Sequence, residues 1–264
     1  MTPARPSISV IVPCLNEEAN VRGAVESVKE ALSSTGRFGD FEILIFNDGS
    51  SDGTGRVADE LAAAEKGVVA VHNPRNMGFG YNYTEGVRRA SKEYVIMIPG
   101  DNEIPAEAIK TIFGRVGEAD IVVPYTANTW VRPLSRRAVS RAFVILMNRL
   151  FGLRLAYYNG TCVIKSELLK QVPMKTWGFA YMAAILVRLI KSGATYVEVG
   201  VKIRQREAGA TKAFRPRNIV SVASAIAALF RDVRIRGELL DDGNRSGRGA
   251  KGDYAGTRTG RTGP

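Results

Sequence analysis

Residues 94–98 form an unbroken apolar run that ends in Pro99-Gly-Asp-Asn-Glu103. The same pattern occurs twice earlier. Residues 8–12 lead into Pro13-Cys-Leu-Asn-Glu-Glu18, and residues 41–46 lead into Asn47-Asp-Gly-Ser-Ser-Asp-Gly-Thr54. Continuous runs of β-branched and aliphatic residues predict strands buried on both faces, as in a parallel sheet. Helical spacing follows at residues 19–33 and 54–66, and a strand at 68–72 precedes a polar turn and a helix reaching about residue 90. Strand, polar turn and helix in repetition predict an α/β fold: a Rossmann-like, mostly parallel sheet flanked by helices.

In such open sheets ligands bind beyond the carboxyl ends of the strands. Asp101 and Glu103 stand at such an end, and hard oxygen donors there suit Mg²⁺ or Mn²⁺ carrying substrate phosphates. An acidic turn of this kind also fits a solvated loop or a helix cap. The earlier turns tip the balance, because their acids and amides, with Arg75, converge on the same edge. A nucleotide site fits that edge.

The motifs resemble the family 2 glycosyltransferases with the GT-A fold, most closely the dolichyl-phosphate-mannose-synthase-like branch. The matching pieces are Val10-Ile-Val-Pro-Cys-Leu-Asn-Glu-Glu18, Asn47-Asp-Gly-Ser-Ser-Asp-Gly-Thr54, Asn76-Met-Gly-Phe-Gly80, Pro99-Gly-Asp-Asn-Glu103, Tyr158-Asn-Gly160 and Arg206-Glu-Ala-Gly-Ala-Thr-Lys212, in the family's order. The resemblance implies that Pro13 and Leu15 flank the base and that Glu17 accepts from the ribose hydroxyls. It places Asp48 at the base or ribose edge beside Asn47, which stands where an aspartate is more usual. Ser50 and Asp52 read as caps of the following helix. Arg75 and Asn76 would touch the diphosphate or sugar. The family's Asp-x-Asp metal motif becomes Pro99-Gly-Asp101-Asn-Glu103, so Asp101 takes the main metal position and Glu103 offers a further oxygen. Asn159 and Gly160 fall on the acceptor and sugar side. Arg206 and Lys212 lie on a loop expected to close over phosphates, arginine as a fork and lysine as a point charge.

Composition bounds the rest. A chain of 264 residues suffices for one large α/β domain, here residues 1–215, followed by a helix at 216–236. Residues 237–264 are rich in glycine and arginine and read as a disordered tail. Cys14 and Cys162 are expected as buried thiols. No apolar leader opens the sequence and residues 219–230 are too short to span a bilayer, so the expectation is a cytoplasmic protein, soluble or peripheral on the inner face of the membrane.

The net charge of +11 asks for a partner. Residues 121–166 contain no acid, and within them 134–151 read as a helix with an apolar body and arginines towards both ends. Two readings stay open: a helix lying on an anionic membrane surface, or one packed in the core with a basic solvated face. Nucleic acid is set aside, because the basic stretch lacks interleaved stacking aromatics and any recognised binding motif.

An absence completes the reading. A sugar hydroxyl acceptor needs a general base, and relatives often have an acid near the start of the helix that begins here at Tyr181, where this chain has none. A phosphate acceptor, with a second pKa of about 6, needs cations instead. The expectation is an inverting, metal-dependent transfer of a hexose from a nucleotide sugar (GDP-mannose or UDP-glucose) to a polyprenyl phosphate. The alternatives are transfer to a sugar hydroxyl of a glycan or glycolipid, and a catalytically weak nucleotide-sugar-binding protein.

Overall fold

The computed structural model describes residues 5–174, 178, 180–204 and 216–241. Along the chain run β1 (Ser7–Cys14), α1 (Val21–Thr35), β2 (Asp40–Asn47), α2 (Thr54–Ala64), β3 (Val68–His72), α3 (Phe79–Arg89), β4 (Tyr94–Met97) and α4 (Ala106–Phe113). Then come β5 (Ile121–Thr126), α5 (Leu134–Phe151), β6 (Val163–Lys165), α6 (Ser166–Leu169), α7 (Tyr181–Lys191), β7 (Tyr196–Val201) and α8 (Pro216–Phe230). Among the described residues the strands form one sheet in the order β3-β2-β1-β4-β6-β5-β7. β1 pairs in parallel with β2 and β4, β2 with β3, and β5 with β7. β6 alone runs antiparallel, against both β4 and β5. The chain leaves β1 towards β2 and β3 and returns to its other side at β4. The crevice of this α/β sheet therefore opens between the carboxyl ends of β1 and β4.

Alternation along the strands builds a core on each face. Ile8, Val10 and Val12 join the layer formed by α1, α2 and α4, whereas Ile11 joins α3, α7 and the buried parts of α5 and α8. α1 meets the sheet through Val21, Val25, Val28 and Leu32, a helical stripe.

Several boundaries differ from expectation for local reasons. α1 starts two residues later than predicted because the Glu17 carbonyl accepts from both Asn20 and Val21 in a preceding turn. Gly36, at φ +54°, then ends it. β7 ends at Val201, because the side chain of Asn128 captures both backbone groups of Ile203 at 2.9 and 3.1 Å. α4 and β5 were not anticipated from the pattern. Both cysteines are free and buried, as expected.

The carboxy-terminal segment is pinned to the domain. Arg188, buried in α7, donates to Asp232 at 3.0 Å and to the carbonyl of Glu238 at 2.5 Å. Residues 237–241, read from sequence as the start of a disordered tail, are held instead: Glu238 N–H donates to the Asp232 carbonyl and Asp241 N–H to the Gln171 carbonyl, both at 2.9 Å. Residues 242–264 lie outside the described residues.

Candidate active site

The strand register sets the site. Cys14 faces Asn47 across β1 and β2, Asn47 faces His72 across β2 and β3, and Gly100 N–H donates to the Pro13 carbonyl at 3.1 Å. Pro13, Leu15, Glu17, Asn47, Asp48, Asn76 and Asp101 are thereby gathered on one edge.

The first two turns are laced together. Asn16, at φ +57°, accepts from Ser51 N–H at 2.8 Å, and its own N–H donates to the Ser50 hydroxyl at 3.0 Å. Glu17 N–H donates to the Thr54 hydroxyl at 2.8 Å, and the Glu17 carboxylate accepts from the Asn20 amide at 2.7 Å. Asp52 accepts from Thr54 N–H at 3.0 Å and from Glu18 N–H at 3.2 Å. It sits one residue before the N-cap of α2, Gly53, which has no side-chain cap, so Asp52 ties the two turns together instead of capping the helix. Desolvation works against it, but these hydrogen bonds hold its carboxyl below the usual range. Ser50, expected as a cap, instead braces the first turn. Pro13 is buried; Leu15 and Glu17 are half-buried and border the crevice.

Asp48 departs from its expected role. It is only 4% exposed, and its carboxylate accepts from the Asn73 amide and Met77 N–H at 2.8 Å and from Gly78 N–H at 2.9 Å. A carboxylate so engaged fastens the β3–α3 loop and has little surface left for a base or ribose. Gly49 completes the junction: its φ is +70°, and any Cβ there would overlap the backbone of Arg75. The loop is thus held with Arg75 and Asn76 exposed on its outer side. Asn47 also turns inward, accepting from Ser50 N–H and contacting His72 Nδ1, both at 3.1 Å.

At the end of β4, Gly100 lies against Cys14 so closely that a Cβ would overlap its sulfur. Burial raises the Cys14 thiol pKa, and so do the charges of Glu17, Asp101 and Asp52 around it. This thiol stays protonated and serves as packing. Asn102, at φ +55°, turns its amide back to accept from Ser27 on α1 at 3.3 Å. Asp101 is half-buried and accepts from Glu103 N–H at 3.2 Å. The Glu103 carbonyl receives Arg204 N–H at 3.4 Å, so the chain leaving β7 passes beside the acidic turn. Arg206 and Lys212 follow in sequence and lie outside the described residues.

Among the described residues no group of three or more His, Cys, Asp or Glu side chains is placed to hold a metal ion. The donor set here is one carboxylate pair, Asp101 and Glu103. That set fits Mg²⁺ or Mn²⁺ in the mode where one or two carboxylates share the ion with substrate phosphates and water. It does not fit a cation held by protein alone.

At the turn expected to border the acceptor, Gly160 packs on the Pro124 carbonyl where a Cβ would overlap, and Asn159 is exposed beside it. Tyr158 is buried and donates to Asn148 at 2.8 Å, which fixes this turn to α5. Arg132 lies over the Tyr157 ring at 5.9 Å. The first turn of α7 has no acid, and Tyr181 there packs on Tyr83 of α3 with ring centroids 5.0 Å apart. Beyond the end of β5, Asn128, which ties β5 to β7, is not singled out by the sequence, and Arg132 reads there only as one cation of the acid-free stretch. The signal was present, as a polar turn after an apolar strand, but β5 itself went unrecognised.

Comparison with known proteins accords with this geometry. The family description "Glycosyl transferase family 2" matches residues 9–172. A polyprenol monophosphomannose synthase from Mycolicibacterium smegmatis is 28% identical over 216 residues, covering 77% of this chain and 79% of that protein. An undecaprenyl-phosphate 4-deoxy-4-formamido-L-arabinose transferase from Klebsiella pneumoniae is 28% identical over 160 residues, 60% of this chain and 48% of that protein. The chain thus spans about half the length of that second relative. Among solved structures, mannosyl-3-phosphoglycerate synthase from Rubrobacter xylanophilus superposes with a TM-score of 0.62 at 17% identity, covering 92% of this chain and 79% of the other. Glucosyl-3-phosphoglycerate synthase from Mycobacterium tuberculosis, in complex with Mn²⁺, UDP-glucose and phosphoglyceric acid, gives 0.57 at 20% identity, covering 86% and 79%. At these identities the structural likeness speaks for the fold.

Proposed function

The chain belongs to glycosyl transferase family 2, and from that premise we propose that it moves a hexose from a nucleotide sugar to a polyprenyl phosphate with inversion. The observation that carries the reading is the pairing of Asp101, at the end of β4, with an acceptor side whose helix α7 opens without a carboxylate. The names of the two relatives, one a polyprenol phosphomannose synthase and the other an undecaprenyl-phosphate transferase, support the same acceptor class.

In this mechanism the nucleotide of GDP-mannose or UDP-glucose lies along the edge formed by Pro13, Leu15 and Glu17. The backbone fastened by Asp48 presents Arg75 and Asn76 towards the diphosphate. Asp101 and Glu103 would hold Mg²⁺ or Mn²⁺, which when bound supplies Lewis-acid neutralisation of the leaving diphosphate. An acceptor phosphate oxygen, ionised at neutral pH, attacks the anomeric carbon as the bond to the diphosphate breaks, so no side chain has to remove a proton. Asn159 and the Gly160 backbone border the sugar and acceptor, and Arg206 and Lys212 supply positive charge to the phosphates. The Asn47 amide, engaged with Ser50 and His72, braces the nucleotide turn.

Such an acceptor is membrane-borne. No described helix is long and apolar enough to cross a membrane, so the contact is assigned to the surface of α5. Only Met147 and Phe151 of that helix are buried, while Leu134, Val139, Ile145 and Leu146 are exposed beside Arg137 and Arg141. Apolar side chains with arginines among them suit the anionic inner face of a bilayer.

The test is incubation of the protein and Mn²⁺ with radiolabelled nucleotide sugars, with and without polyprenyl phosphate. Label that enters the organic phase only when the lipid is present supports the proposal. Label in water-soluble glycan means a sugar hydroxyl acceptor, and label nowhere means nucleotide-sugar binding without transfer.

A further inference from the structure

His72 is the only histidine of the chain, and it stands opposite Asn47 at the nucleotide turn. Its Nδ1 lies 3.1 Å from the Asn47 amide nitrogen, and its Nε2 lies 3.0 Å from an Asp59 carboxylate oxygen. The neighbours fix which nitrogen carries the proton. Asn47 Oδ1 accepts from Ser50 N–H, a group that can only donate, so the amide turns its NH₂ to the ring. That NH₂ can only donate as well. His72 Nδ1 therefore accepts, and the ring proton sits on Nε2, which donates to Asp59. Gly55, in the first turn of α2, closes the arrangement: a Cβ there would overlap the Asn47 amide nitrogen and touch the ring.

The hydrogen bonds continue into the site. Ser50, held by Asn47, accepts from Asn16 N–H, and Asn16 accepts from Ser51 N–H. Asn16 lies between Leu15 and Glu17, which border the crevice. A side chain on β3 thus reaches both turns through one amide.

Each of these bonds requires a neutral His72. Histidine is the side chain whose charge changes between about pH 5 and 8, and this ring is exposed to solvent. A second proton goes onto Nδ1 and sets it against the Asn47 NH₂, donor against donor. Rotating the amide only moves the conflict, because its NH₂ then faces Ser50 N–H. Asp59 accepts from Nε2–H in either state, so the change falls on the Asn47 side. The other charges nearby are turned elsewhere. On α2, Arg56 pairs with Glu18 and Glu60, and at the end of β2 the Asp48 carboxylate is taken by Asn73, Met77 and Gly78. Arg75 is exposed on the outer side of its loop, and β3 holds no other ionisable residue.

We propose that His72 is a positioning residue that makes donor binding depend on pH: neutral, it holds the Asn47–Ser50 turn in its binding shape, and protonated, it releases that turn. This inference rests on the nucleotide-sugar reading of the edge and adds a control to it.

Binding of UDP-glucose and GDP-mannose, with Mg²⁺ and without acceptor, tests it by calorimetry between pH 8 and pH 5.5. The diphosphate diesters of these probes stay ionised throughout, so their own titration does not intrude. The sugar nucleotide that binds should lose about five- to ten-fold in affinity at the acid end, the worth of one hydrogen bond of the turn. His72→Asn puts an oxygen near the place of Nδ1 and takes up no proton, so it should bind like wild type at pH 8 and show a flat profile. Asn47→Asp offers an acceptor to the protonated ring, so its affinity should hold or rise towards pH 5.5. Wild type and His72→Asn falling together, or Asn47→Asp falling like wild type, overturn the proposal. A second measurement needs no nucleotide. The Ser50 backbone amide resonance should shift in step with the His72 ring as pH is lowered, and a Ser50 resonance that ignores the ring overturns the proposal. If Ser50 follows the ring while neither sugar nucleotide binds at any pH, the nucleotide-sugar reading fails and the coupling of His72 to the turn stands.

Discussion

Asp101 and Asp48 show how two carboxylates that follow strands of one sheet come to differ in task. Asp101 is half-buried and has one backbone donor, so it keeps capacity for a ligand. Its replacement by Asn should lower turnover by about 10²-fold or more, as loss of a preorganised charge does; turnover within a few-fold of wild type, or full activity in EDTA, excludes the assignment. Asp48 is closed off by Asn73, Met77 and Gly78. Asp48→Ala would leave those donors without their acceptor, at about 1–3 kcal/mol for a buried group. The expected result is a lower melting temperature together with a raised KM for the nucleotide sugar, measured by thermal unfolding and steady-state kinetics. A raised KM with unchanged melting would instead mean that Asp48 touches the nucleotide directly. The sequence made both residues legible as site candidates, because acids after apolar strands stand out. It could not show which way each carboxylate turns, since the partners of Asp48 come from a loop 25 to 30 residues away.

At the scale of elements, legibility followed periodicity. β1 to β4 and α1 to α3 were readable because their strands are continuous apolar runs and their helices carry a clear stripe. β6 has only Val163, Ile164 and Lys165, too few to reveal that it runs antiparallel. The sequence leaves α5 with two readings, because an apolar body with arginines towards both ends fits either surface or core; the structure buries only Met147 and Phe151 of it. α3 offers a test of element stability. Glu85 is bonded first by Arg88 and also by Arg89, and these guanidinium groups hold its carboxyl at a pKa of about 2. Its folded pKa is depressed, so the stabilisation is complete above the unfolded value near 4.5 and is lost as pH falls towards 2. The arginines are largely exposed, which discounts the effect to about 1 kcal/mol. Glu85→Gln should therefore reduce urea stability at neutral pH by that amount and match wild type near pH 2. An equal deficit at both pH values would mean lost packing and not lost charge.

For the whole molecule, the question is how a domain without a membrane-crossing helix among its described residues would meet the proposed lipid acceptor. The buried Arg188–Asp232 pair fixes the segment after α8 to α7. α8 is fixed in turn to α5 by the Phe151–Phe230 ring contact at 6.3 Å, so the apolar lobe is held against the acceptor side as one piece. The lobe also bears much of the positive charge: Arg137, Arg141, Arg149, Arg231 and Arg234 are exposed on it. Attraction to anionic lipid is worth about 1 kcal/mol per cation near the surface and is screened by salt. The protein should thus sediment with vesicles containing phosphatidylglycerol, and less of it should do so as salt rises. Replacing Arg136, Arg137 and Arg141 with Gln should weaken that binding by about 10²-fold on the same scale. Deleting residues 242–264 should matter less, because their cations come without apolar side chains to insert. The two effects separate charge from burial. If the triple variant sediments like wild type while Leu146→Glu releases the protein, apolar insertion alone holds it and the arginines are incidental. If neither change matters, α5 does not face the membrane, and the polyprenyl phosphate proposal loses its membrane support and rests on the acid-free start of α7 and the relatives.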